Sequence, residues 1–103
     1  MRASRGDVWL VDLGYVGKVR PALVLSIEPL DSERALVTLI PHTTSPWGTR
    51  FEVDLKKPFL KLGVFDAQNP VTIAEAKLTR KLGVLTADEL AQVEGAVRTW
   101  LGL

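Results

Sequence analysis

The chain of 103 residues has no cysteine. That removes disulfides, thiolate zinc sites and thiol catalysis together. With no thiol and a single histidine, His42, no hydrolytic triad can be assembled. Charge of one sign is not in excess either: 13 Lys and Arg face 12 Asp and Glu, a formal net charge of +1. No global basic field announces a nucleic acid, so any such site must be a local patch. Long hydrophobic runs are missing as well. The opening MRASRGDVWLVDL breaks at Asp12 and is too short for a signal peptide or a membrane span. The expected compartment is the cytoplasm, with no membrane contact. The carboxylates are scattered with no metal-ligand spacing, and no glycine-rich phosphate loop is present. An enzyme built from this chain is expected to work without metal or cofactor.

What is present reads as one folded domain over residues 1–103, with 47% hydrophobic and 24% charged residues. A domain of this size is only marginally stable on its own, which favours dimerisation. Residues 7–13 (DVWLVDL), 21–27 (PALVLSI) and 35–40 (ALVTLI) are short apolar runs rich in β-formers. Gly14 and Gly17 mark a turn between the first two, and Pro41 is expected to end the third. Phe51-Glu52-Val53-Asp54-Leu55 alternates, as a strand with one wet side does. Further strands are expected around Val71–Ala76 and Leu82–Leu85. Thr86-Ala87-Asp88-Glu89 then reads as a capping box. It opens a helix whose stripe is Leu90, Val93, Val97, Trp100 and Leu101, with Gly95 inside it, which either a close approach to the sheet or tolerance alone would account for. The expected fold is mainly β with a C-terminal α-helix, a small, strongly curved antiparallel sheet or barrel with the helix as a lid.

One substrate class suits a protein with no metal, no cofactor and no nucleophile of its own. RNA carries its own nucleophile, the 2′-hydroxyl, so a protein needs only to orient it and stabilise charge at phosphorus. Lys18-Val19-Arg20-Pro21 places two cations on one face at the entry to a strand. Pro41-His42-Thr43-Thr44-Ser45-Pro46-Trp47-Gly48-Thr49-Arg50 is a hydroxyl-rich loop with one aromatic platform, Trp47, and a cation, Arg50. Gln68-Asn69 can read base edges, and Lys77, Arg80 and Lys81 can hold phosphates. Each has a plainer reading. Arg20 fits a surface ion pair, Thr43 and Thr44 fit loop residues bonding their own backbone, and His42 fits a half-buried hydrogen-bonded residue. Trp9 and Trp100 are assigned to the core.

The residues also resemble a family in order along nearly the whole chain. Arg5-Gly6-Asp7-Val8-Trp9-Leu10-Val11-Asp12 resembles the opening of MazF/PemK toxins, and Val19-Arg20-Pro21-Ala22-Leu23-Val24-Leu25-Ser26 their second strand. Pro41-His42-Thr43-Thr44 followed by Phe51-Glu52-Val53 is similar to their P-x-T segment and FEV strand. Gln68 and Lys81-Leu82-Gly83-Val84-Leu85-Thr86 continue the likeness. The resemblance implies a CcdB/MazF-like SH3-like barrel, a homodimer, cleavage of single-stranded RNA without metal, and a cognate antitoxin, MazE-like or other. It carries the family's catalytic arginine onto Arg20 and its catalytic threonine onto Thr43. Lys18, Thr44, Trp47, Arg50, Gln68, Asn69 and Lys77 are then candidate RNA contacts. The chain departs from the family in its first loop, where a longer GSEQ-G stretch supplies an acidic residue; Gly14-Tyr15-Val16-Gly17-Lys18 has no counterpart to it. Two alternatives share the fold: a CcdB-like gyrase poison acting through the helix end, and a non-catalytic module that binds RNA or antitoxin.

Overall fold

A computed structural model describes residues 3–14 and 19–103. Seven strands and one helix follow in the order β1 (Asp7–Asp12), β2 (Val19–Val24), β3 (Leu36–Thr43), β4 (Glu52–Val53), β5 (Val64–Asp66), β6 (Val71–Ala74), β7 (Leu78–Val84) and α1 (Ala87–Leu101). A single 3₁₀ turn, Glu75–Lys77, joins β6 to β7. All pairings are antiparallel, in the order β4-β5-β3-β2-β1-β7, with β6 also on β3. The expected architecture, mainly β with a terminal helix, is the one observed.

The apolar runs of β1, β2 and β3 are continuous because both faces of these strands are buried. Val8, Leu23 and Ile40 enter one core with Phe65, Val93 and Val97. Trp9, Val11, Ala22, Val24, Val37 and Leu39 form a second core. The alternating segment behaves differently: Phe51 and Leu55 are buried while Glu52 and Asp54 are not. Helix α1 closes the first core. Its capping box is present, with Thr86 Oγ1 accepting from Glu89 N at 3.2 Å and Glu89 Oε1 accepting from Thr86 N at 2.9 Å.

Four expectations are corrected. Pro41 does not end β3, because the strand changes neighbours there. On one side it pairs with β6 through Leu39 and with β5 from His42 onward, so the residue lacking an N–H falls at the handover. The last strand starts earlier than Leu82 and runs over Leu78–Val84. Trp100 is 43% exposed and meets Phe51 edge-on at 5.4 Å, outside the core. Gly95 has open space where a Cβ would lie, so no close approach to the sheet explains it.

The RGD segment serves the fold. Arg5 binds the Leu25 carbonyl and Glu94, tying this segment to the residue after β2 and to α1. Asp7, almost fully buried, accepts from Ser4 N at 2.9 Å and Trp9 Nε1 at 3.3 Å, with Lys81 Nζ at 3.4 Å.

Candidate active site

Strand register brings the two principal residues together. In the β2–β3 pair Val24 faces Leu39, Leu23 faces Ile40 and Ala22 faces Pro41. Two residues beyond the last pair stand Arg20 on β2 and Thr43 on β3. With a side-chain period of two, both belong to the face of Ala22 and Pro41. They line one open groove of about 840 Å³ with Trp47, Gln68, Asn69 and Trp100.

Arg20 is half-buried and, among the described residues, its side chain has no ion pair or hydrogen bond. Its plainer reading as an ion-pair partner therefore fails. An unpaired guanidinium in a groove has five N–H donors ready for an anion. Thr43 Oγ1 accepts from Ser45 N at 3.1 Å, a local turn that fixes the side chain. Its hydroxyl proton stays available to donate outward.

The Thr44–Thr49 segment is held from beneath by Glu52. That carboxylate accepts from Trp47 N at 2.8 and 3.1 Å, from Gly48 N at 2.5 Å and from Thr49 N at 2.9 Å. Gly48 takes φ +83°, which lets successive N–H groups converge on one acceptor. The bond from Trp47 N–H, with those from Thr49 and Gly48, holds the Glu52 carboxyl below its ordinary range. With its backbone clamped, Trp47 leaves its ring 90% exposed. Opposite, Asp66 Oδ1 accepts from Gln68 N at 3.1 Å and the Asp66 carbonyl from Asn69 N at 3.2 Å. The side chains of Gln68 and Asn69 have no partners among the described residues.

Not every sequence candidate arrives here. Thr44 lies in a neighbouring cavity with Arg80. Arg50 stacks over the Phe51 ring at 4.6 Å and borders a separate groove beside α1. Lys77 sits exposed in the 3₁₀ turn and lines none of these cavities. Lys18 lies outside the described residues. His42 is not half-buried but 3% exposed, and its Nε2 has no partner. Burial lowers its pKa below the ordinary imidazole value, against an opposing pull from Asp54. Glu52, Asp66 and Trp100 line the groove without having been singled out as site residues. For Glu52 a signal existed, since alternation sets it on the opposite face from Phe51 and Val53.

A family model described as PemK-like, MazF-like toxin of type II toxin-antitoxin system matches residues 4–101. Solved structures agree. An endoribonuclease from a mycobacterial species, in complex with its cognate antitoxin, is 28% identical with a TM-score of 0.85, covering 99% of this chain and 97% of its own. The MazE–MazF complex of Deinococcus radiodurans is 30% identical with a TM-score of 0.78, covering 99% and 96%. The Mycobacterium tuberculosis toxin MazF-mt6 is 26% identical with a TM-score of 0.74, covering 94% and 97%.

Proposed function

The chain belongs to the PemK-like, MazF-like toxins of type II toxin-antitoxin systems, and from that premise we propose that it is an endoribonuclease cutting single-stranded RNA at the Arg20–Thr43 face. The observation that carries the reading is that Arg20, whose side chain is unpaired among the described residues, lines one groove with Thr43, whose Oγ1 is fixed by the Ser45 N–H. The 2′-hydroxyl oxygen attacks the adjacent phosphorus, and the bond from phosphorus to the 5′-oxygen breaks. The products are a 2′,3′-cyclic phosphate and a 5′-hydroxyl. The 2′-hydroxyl proton passes to solvent and the leaving oxygen takes one up. Arg20 stays charged throughout, since its pKa lies above about 12. It therefore acts as a clamp for the charge developing at phosphorus. Thr43 donates to a phosphate oxygen and sets the line of attack.

Binding uses the remaining groove residues. Trp47 offers a stacking platform to an unpaired base, and the free amides of Gln68 and Asn69 offer donors and acceptors to base edges. A cognate antitoxin blocks this groove, and a second copy of the chain completes a homodimer. The test is incubation of single-stranded RNA with the purified protein in excess chelator. Wild type is expected to cut at defined sites and leave cyclic phosphate ends. Arg20→Ala and Thr43→Ala are expected to cut about a hundredfold or more slowly. Intact RNA with wild type, or equal cutting by both variants, would overturn the proposal.

A further inference from the structure

Gly63 lies against two neighbours at once. A Cβ there would stand 2.2 Å from the Thr43 carbonyl oxygen and 2.7 Å from His42 Cε1, so a residue without a side chain is what lets β5 begin this close to β3. The pairing that follows is short. Phe65 faces His42 and Val64 faces Thr43, and these two pairs are the whole registered contact between the strands. A seam held by so few pairs opens locally at low cost.

What fills the seam is the single imidazole of the chain. Its ring stands edge-on to Phe65 at 5.1 Å, and Nε2 has neither solvent nor a hydrogen-bond partner. A neutral ring tolerates this, because an unprotonated nitrogen forgoes only one accepted bond. A charged ring does not: both nitrogens then donate, and a charge is sealed in with no acceptor. The charged groups around the seam are Asp54 after β4, Glu52 on β4, Asp66 on β5, Arg20 on β2, Lys61 ahead of β5 and Arg80 on β7. Arg20 lines both the groove and the neighbouring cavity that holds Lys61 and Arg80. Of these groups, Asp54 draws the ring toward its charged form, and burial outweighs that pull. To become charged, the ring must therefore leave the seam or admit water to it.

We propose that His42 is a positioning residue for Thr43, and that its protonation opens the seam between β3 and β5 and stops cleavage in acid. His42 and Thr43 are adjacent on one strand and share Gly63 as a neighbour, so an opening that solvates the ring also moves Thr43. A displacement near 1 Å of a group that orients the reaction slows it by about a hundredfold. The inference rests on the reading of Thr43 as part of an RNA-cutting site. It goes beyond that reading by giving the site a closed state with a neutral ring and an open, inactive state with a charged one.

The experiment uses the full chain and a saturating single-stranded RNA, with single-turnover rates measured between about pH 8 and 5. Because the chain has one histidine, its ring titration is read directly by nuclear magnetic resonance. His42→Phe keeps a ring but cannot be protonated. Dividing the wild-type rate by the His42→Phe rate cancels the pH dependence of the 2′-hydroxyl itself. The quotient is expected to be level near neutrality and to fall by up to about tenfold per pH unit below the midpoint of the ring, while circular dichroism shows both chains folded. A level quotient over the whole range, or a fall whose midpoint departs from that of the ring, overturns the proposal. A fall that coincides with global unfolding makes His42 merely structural and also overturns it. If His42→Phe does not fold, Asp54→Asn takes its place. Loss of that carboxylate should lower the midpoint of the ring, and the acid limb of cleavage must move down with it; a limb that stays overturns the proposal. If wild type cuts nothing, the nuclease reading fails by itself. Protection of the amides in the pairs His42–Phe65 and Thr43–Val64, corrected for the intrinsic exchange rate, then decides the seam: a drop at the midpoint of the ring supports it, and unchanged protection refutes it.

Discussion

Gly63 and Gly95 provide a matched pair in which one substitution has opposite consequences. A Cβ on Gly63 would lie 2.2 Å from the Thr43 carbonyl oxygen and 2.7 Å from His42 Cε1. The first neighbour is backbone on the adjacent strand and cannot swing away as a side-chain tip can. Ordinary van der Waals contact needs roughly 3.4 Å or more, so β3 and β5 must part by about 1 Å at Thr43. Overpacking of this kind costs about 1–3 kcal/mol. For a domain of this length each kcal/mol lowers Tm by roughly 4–8 °C. Gly63→Ala should therefore melt about 4–24 °C below wild type. A displacement near 1 Å of a group that orients the reaction slows cleavage by about a hundredfold, so the loss of rate should exceed what partial unfolding explains. Gly95→Ala adds the same methyl where nothing lies within 4 Å, in the middle of α1. It should gain up to about 1 kcal/mol from helix propensity and keep the wild-type rate. Thermal melts by circular dichroism and single-turnover RNA cleavage at 25 °C measure both. A Gly63→Ala protein with wild-type Tm and wild-type rate would refute the placement of β5 against Thr43.

Three further outcomes follow from the same geometry. Trp47→Ala should weaken RNA binding by the loss of one stacked base, about 1–3 kcal/mol or roughly 5- to 150-fold in affinity; because the ring is 90% exposed, Tm should not move. Glu52→Gln removes a charged acceptor from the N–H groups of Trp47, Gly48 and Thr49. Protection factors at those three amides should fall in the variant, and in wild type they should fall only in acid, once the depressed Glu52 carboxyl protonates. Unchanged protection in the variant would show that the loop is held by something else. The His42 pKa is lower in the folded chain than in the unfolded one. The unfolded state thus binds more protons below the ordinary imidazole value of about 6.5, and stability falls as pH drops from there toward the folded pKa. Melting between pH 7.5 and 5 should show that decline in wild type and a flatter profile in His42→Phe.

How much of this was legible in the sequence depends on whether a feature is local. The capping box at Thr86 and Glu89 and the three apolar runs are features of one segment each and gave the helix start and the strands expected, while the alternation over 51–55 gave only the two-residue strand Glu52–Val53. β5 was not foreseen because Val64–Asp66 is too short to show a period. It is a strand only because Phe65 finds His42 and Val53 on either side. The Arg20–Thr43 face shows the same limit from the other direction. Parity places each residue on a face of its own strand, but their meeting depends on the register Ala22 against Pro41, which no local pattern states. Cations were the least legible. Arg50 and Arg20 look alike in the chain, yet one is drawn onto the Phe51 ring and the other left unpaired.

That sorting of cations leads to a quantitative expectation for a chain whose formal net charge is only +1. The first groove contains two carboxylates that would repel RNA if their lone pairs were open. Glu52 already faces three backbone N–H groups, and one Asp66 oxygen faces the Gln68 N–H, so much of that field is compensated locally. Among the described residues, the cations left to face RNA under the proposed reading are Arg20, Lys61 and Arg80. Three phosphate contacts to a single strand give a slope of log affinity against log salt of about −2, at about −0.7 per contact. Binding of a non-cleavable oligonucleotide measured between about 50 and 200 mM salt tests this directly. A slope of about −3.5 or steeper, the value for five contacts, would mean that Arg50 and Lys77 take part after all, and that RNA wraps beyond the two cavities that Arg20 lines.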